Sequence, residues 1–153
     1  MKISLRWIND FVAVDDYFEK ASELSRILTA AGLEVEAVEN PAEALKNVVV
    51  GQITTLGQHP NADRLTLCQV DVGDGTPRQI VCGAKNHKQG DKVVVALIGA
   101  VLPGNFEIKK SKIRDVESQG MMSSESELGL TKESEGILIL PSEAPIGASF
   151  AQF

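Results

Sequence analysis

Four side chains of the kinds that ligate metals or act as nucleophiles stand in the middle of the sequence: His59, Cys68, Cys82 and His87. A metal centre needs a cluster at ligand spacing, and neither cysteine stands at such a spacing from either histidine. They read as loop histidines and core thiols, and no second motif supports a Cys–His nucleophile pair. No metal and no catalytic residue is therefore expected. Chemistry of another kind sits nearby in Cys82-Gly83-Ala84-Lys85-Asn86. Gly83 allows close backbone approach to a ligand, Lys85 can reach a phosphate, and Asn86 can both donate to and accept from a sugar or base edge. The Gly-x4-Gly-Lys-Ser/Thr spacing of a P-loop is absent. A plain turn with a solvated lysine accounts for the same residues.

The densest basic run is Lys109-Lys110-Ser111-Lys112-Ile113-Arg114. In an extended strand Lys110, Lys112 and Arg114 share one face, a row able to track phosphates. An edge strand protected from aggregation by lysines reads the same way. Ser118, Ser123 and Ser124 surround the apolar Met121-Met122 and could hydrogen-bond sugar or phosphate, or form a bulge over a core methionine. Phe106 is the only aromatic residue of the central region, which favours contact with backbone and shape over base stacking.

The formal net charge of −6 argues against nucleic acid until its distribution is considered. Met1 to Lys46 carries −4, Asn47 to Arg114 carries +4, and Asp115 onward carries −6. A basic middle third between acidic flanks suits a local phosphate site, because mean charge describes solubility better than it describes a site.

These residues must be positioned by short elements. The 153 residues are 43% hydrophobic but only 5% aromatic, so Val, Ile and Leu supply the core. Ile3, Leu5 and Trp7 alternate as a strand; Asp15 and Asp16 cap a helix whose stripe is Tyr17, Ala21, Leu24, Leu28 and Ala31; Gly32 ends it; Leu33 to Val38 is extended again. Residues 1–39 thus read as strand–helix–strand, too small to bury a core of their own. From residue 40 to 153 the text changes to short apolar runs bounded by Gly or Pro: Val48 to Ile53, Leu65 to Val72, Gln79 to Cys82, Lys92 to Ile98, Phe106 to Lys109, Ile113 to Val116 and Ile137 to Leu140. The fold class is mainly β with a small α/β N-terminal segment, the β part being a small barrel or sandwich. No apolar run approaches the roughly 20 residues of a membrane span, no signal peptide opens the chain, and two cysteines suit a reducing cytoplasm. The small first segment and the open chain end suggest a piece of a longer protein.

His59-Pro60-Asn61-Ala62-Asp63-Arg64-Leu65, Val81-Cys82-Gly83-Ala84, Gly99-Ala100-Val101-Leu102-Pro103-Gly104 and Glu117-Ser118-Gln119-Gly120-Met121-Met122 occur in that order. Together they resemble the tRNA-binding domain of the OB fold, a five-stranded Greek-key barrel. Met1 to Ile8, Ala30 to Glu36, Ile108 to Arg114 and Ser124 to Leu130 resemble the start of the bacterial phenylalanyl-tRNA synthetase beta subunit. That resemblance implies an auxiliary tRNA-binding region of a ligase that uses ATP and magnesium in an alpha2beta2 heterotetramer, with catalysis in the alpha subunit and no cofactor in this part. The residues expected to contact RNA are Lys85, Asn86, Lys109, Lys112, Arg114, Ser118 and Ser123. The alternatives are a spacer domain without RNA contact and a free-standing tRNA-binding OB protein. Two positions depart from the family pattern. Asp115 stands where Gly is common and would oppose phosphate, whereas Lys85 stands where Pro or a small residue is common and would add a contact.

Overall fold

The long run Val48 to Gln58 forms one strand, β1 (Val48–Gln58), that serves two neighbours. In the computed structural model, which describes residues 1–152 and leaves the side chains of Pro41 and Ala44 undescribed, the first half of β1 pairs antiparallel with β4 (Lys92–Leu97). Its second half pairs antiparallel with β2 (Thr66–Asp71). The register shifts between Ile53 and Thr55, where an irregularity bends the strand from one partner to the other. Gly51 lies just before this bend: a Cβ there would meet methyls of Val70 and Val95 at 2.8 Å, so only glycine lets the strand coil over its own core.

Gly73 and Gly75, both at positive φ, turn β2 back into β3 (Arg78–Cys82). On its other side β4 pairs with β9 (Gly120–Met122) near its end and with β10 (Ile139–Leu140) near its start. The seam between β3 and β9 is made by Gln119 N–H on Gln79 O at 2.8 Å and Val81 N–H on Ser118 Oγ at 3.1 Å. The ring β1-β2-β3-β9-β4 is the expected five-stranded Greek-key barrel. Between β4 and β9 lie two hairpins: β5 (Val101–Leu102) with β6 (Phe106–Glu107), and β7 (Ser111–Ile113) with β8 (Val116–Ser118).

Inside the barrel Ile53, Cys68, Val70, Ile80, Val93, Val95 and Met122 form one core. Outside β4, Leu45, Val48, Val94, Ala96, Leu102, Ile108 and Leu128 form a second. Val93 to Ala96 is apolar at every position because β4 is covered on both faces, whereas a half-solvated strand would alternate. Both cysteines are free and buried, and burial pushes their thiol pKa values up.

The chain divides into units Met1–Asn40 and Pro41–Phe153. The first unit corrects the expected strand–helix–strand. Ile3, Leu5 and Trp7 do not alternate in a strand; Leu5–Asn9 is a short helix, α1, and Trp7 meets Phe11 edge to face at 5.6 Å, four residues on. Three alternating residues are too few to outweigh that helical spacing. Asp15–Tyr17 forms a 3-10 turn, and the main helix, α2 (Ala21–Ala30), starts later than its acidic cap predicts. Gly32, at φ 94°, does end it: Leu33 N–H reaches Leu28 O at 2.9 Å and Gly32 N–H reaches Thr29 O at 3.0 Å, a Schellman closure. Leu33 to Val38 form no strand, since no neighbouring strand of this unit offers a ladder.

Candidate nucleic-acid interface

The cationic side chains expected to meet RNA reach the surface of the second unit from two places. The loop after β3 is one. Its middle is fixed by Asn86, whose Nδ2 donates to Ile137 O at 2.8 Å while Ile137 N–H donates to Oδ1 at 3.1 Å. This side-chain amide imitates one step of a β ladder, and Gly136 leaves the room, since a Cβ there would stand 2.3 Å from Oδ1. Asn86 is thus engaged with the chain through both its donor and its acceptor. His87 turns inward, its Nε2 3.0 Å from Thr66 Oγ1 and 3.7 Å from Cys68 Sγ, with Nδ1 unpartnered. Burial holds the imidazole pKa below the usual value, against a smaller upward pull from Asp91. Lys85, immediately before these anchors, is exposed.

The second place is the β7–β8 hairpin. The expected single run from Ile113 to Val116 is corrected here: Arg114 and Asp115 form a turn at φ 51° and 69°. Two consecutive left-handed residues define the tight hairpin turn that normally carries Asn-Gly. Asp115 takes the second of these positions, which explains why glycine suits it. Lys109 pairs with Glu107 at 3.0 Å, and Lys110 with Glu117 at 3.0 Å. The Glu117 carboxyl is held below the usual range by Lys110 and then by Gln119, whose Nε2 is 2.8 Å from Oε1. Lys112 stands opposite Glu117 in the register. Lys85, Lys112 and Arg114 form no ion pair among the described residues.

A groove of about 640 Å³ runs between the end of β3 and the segment 106–113. Gly83, Ala84, Ile113 and Met121 line it, with Phe106, 56% exposed, and Lys109. Ser111 and Ile113 line the groove, so strand alternation sets Lys112 on the opposite face.

The structure therefore divides the seven expected contacts. Lys85, Lys109, Lys112 and Arg114 are exposed. Ser118 and Ser123 are interior groups instead: Ser118 Oγ accepts from Val81 N–H and donates to Gly120 O at 3.0 Å, and Ser123 is fully buried. Ser118, Gly120 and Met122 stand at alternate positions of the closing segment and are buried together, so Ser118 faces inward with Met122. Sequence reasoning missed the part played by His59 and Asn61. The side chains of both reach the hairpin turn, His59 Nε2 to Ile113 O at 2.9 Å and Asn61 Nδ2 to Arg114 O at 3.0 Å. The turn character of His59-Pro60-Asn61 was legible; its long-range partner was not. No group of three or more His, Cys, Asp or Glu able to hold a metal exists among the described residues.

Residues 48–149 match the family model described as a putative tRNA binding domain. The chain belongs to that family. The match begins at the first residue of β1 and takes in every barrel strand of this tRNA binding domain. Similarity to full-length relatives extends further, across the first unit as well. The phenylalanine-tRNA ligase beta subunit of Bdellovibrio bacteriovorus is 56% identical over 153 residues, and that of Fusobacterium nucleatum 60% identical over 153 residues. Each match covers 100% of this chain and 19% of the relative, so the chain spans about a fifth of the length of these relatives. Among solved structures, a MetRS related protein from Pyrococcus horikoshii superposes with a TM-score of 0.51 at 23% identity, over 73% of this chain and 96% of that one, in keeping with the barrel fold. No helix among the described residues is long and apolar enough to cross a membrane.

Proposed function

We propose that this chain is the N-terminal part of a phenylalanine-tRNA ligase beta subunit and that its barrel gives the enzyme an auxiliary hold on tRNA. The observation that carries this reading is the match of the barrel to the tRNA binding family, on the unit whose hairpin tip and β3 loop expose Lys112, Arg114 and Lys85. Contact is to phosphate and shape, with Lys109 at the groove rim. Asn86 and Ser118 hold the elements that present these cations, and Ser123 is buried away from them. In this reading the chain is non-catalytic. ATP and magnesium act in the rest of a cytoplasmic alpha2beta2 enzyme, and residues 1–39 belong to a small domain completed by further beta-subunit sequence.

A spacer role without RNA contact is the second reading. It is favoured by the acids that neutralise Lys109 and Lys110. Binding of bulk tRNA to the 153-residue chain at two salt concentrations, beside duplex DNA, separates the two. Auxiliary contact predicts salt-sensitive binding to tRNA in excess of DNA. Equal or absent binding at low salt supports the spacer.

A further inference from the structure

We propose that the His59-Pro60-Asn61 turn is a positioning clamp that sets where the cationic tip of the β7–β8 hairpin meets a phosphate backbone. The inference rests on the tRNA-contact reading above. It assigns a role to the motif that the fold alone does not require, since the barrel closes through β3, β9 and β4 without it.

The hairpin needs an external support. Its strands are three residues each, too short to be stable alone. Its turn holds two residues with side chains, Arg114 and Asp115, in left-handed backbone, a conformation that persists only where neighbours impose it. At the stem, Ser118 and Gln79 tie β8 to β3, with Gln79 Nε2 on Glu117 O at 2.8 Å. At the tip, the two carbonyls that lead into the turn, Ile113 O and Arg114 O, are both taken by side chains from residues more than fifty positions earlier.

The donor logic of the clamp is determined. Asn61 N–H lies 3.0 Å from His59 Nδ1, which must therefore accept, so the ring proton is on Nε2, where it donates to Ile113 O. His59 is 2% exposed and cannot swing out to find other partners. Pro60 fixes the turn, and His59 N–H closes it on Leu65 O at 3.1 Å. The same three residues that shape the local turn thus fix Ile113 and Arg114 from outside. The neighbouring Lys112 and the Arg114 side chain then leave a rigid backbone instead of a fraying tip. A fixed cation reaches a phosphate without first losing conformational freedom.

The test uses the 153-residue chain and bulk tRNA, with affinity measured as a function of salt for Arg114→Ala, Asn61→Ala and the double variant, together with amide exchange across residues 112–116. Arg114→Ala is expected to weaken binding about tenfold and to lower the salt slope by about 1. Asn61→Ala is expected to weaken binding about threefold, to speed exchange at the hairpin tip, and to leave the thermal midpoint within a few degrees. The double variant should bind more tightly than the sum of the two single losses predicts, because with Arg114 gone the clamp has only Lys112 left to position. His59→Gln, which keeps a donor for Ile113 O, should retain more affinity than His59→Phe. Full additivity of Asn61→Ala and Arg114→Ala, or normal binding and exchange in Asn61→Ala while Arg114→Ala binds weakly, overturns the clamp and leaves the tRNA reading standing. Wild-type binding by Arg114→Ala overturns the hairpin as an RNA contact, and the clamp's role with it.

Discussion

The two units of this chain show what burial does to a sequence pattern. In Pro41–Phe153, two apolar clusters cover both faces of β4 and leave Ile53, Val93, Val94 and Val95 without exposed surface. In Met1–Asn40, neither α1 nor α2 has a buried residue, and Trp7 and Phe11 remain 58% and 75% exposed. The barrel is therefore held by its own interior. The helices of the first unit are held by local devices such as the Schellman closure at Gly32 and the Trp7–Phe11 contact. Stability should be distributed accordingly, and the proposed tRNA contact lies on the unit with the buried core.

Truncating the barrel core offers the largest contrast. Ile53→Ala should cost about 2–5 kcal/mol in urea unfolding. Leu24→Ala, on the half-buried stripe of α2, should cost under about 1 kcal/mol in the same transition. Equal costs would mean that the two units share one cooperative core.

A smaller effect is expected from the lock at Asn86. Asn86→Ala removes two hydrogen bonds to Ile137 and should lower barrel stability by about 1–2 kcal/mol, with faster amide exchange at Ile137. An unchanged unfolding midpoint would return Asn86 to the list of free surface donors.

The smallest effect is a pH dependence confined to the barrel. Because burial holds His87 neutral, its folded pKa lies below the ordinary value near 6.5. The unfolded chain therefore binds the proton more readily. The stability linked to this group is complete above about pH 6.5 and declines as pH falls below it. His87→Gln should flatten that part of the curve. Asp74 and Glu117, whose carboxyls are held low by Thr76 N–H with Arg78 and by Lys110 with Gln119 respectively, act only at the lower pH of carboxylate titration.

The legible parts of the sequence were those where one local rule decides. Short apolar runs bounded by Gly or Pro located β1 through β4, and the family words located the barrel. What failed were patterns with two competing periods or with distant partners. Ile3, Leu5 and Trp7 alternate, yet Trp7 and Phe11 also stand four apart, and the helix prevailed. Arg114-Asp115 lacks the usual turn chemistry because its left-handed backbone is supported by His59 and Asn61. Ser118, Ser123 and Asn86 were assigned outward by residue type. The partners of Ser118 and Asn86, namely Val81, Gly120 and Ile137, lie 2 to 51 positions away, and only the closed barrel brings them together and buries Ser123. The exposed cations carried no such ambiguity, since a lysine or arginine without a buried partner stays in water.

The central claim is that tRNA is held by cations of the hairpin tip. The direct test is the salt dependence of tRNA affinity for the 153-residue chain and its Lys112→Ala/Arg114→Ala variant, with unfolding midpoints measured in parallel. The account predicts an unchanged midpoint, weaker binding at low salt and a log–log salt slope reduced by about 2. A variant that binds tRNA with wild-type affinity and slope would contradict it and leave the barrel as a spacer.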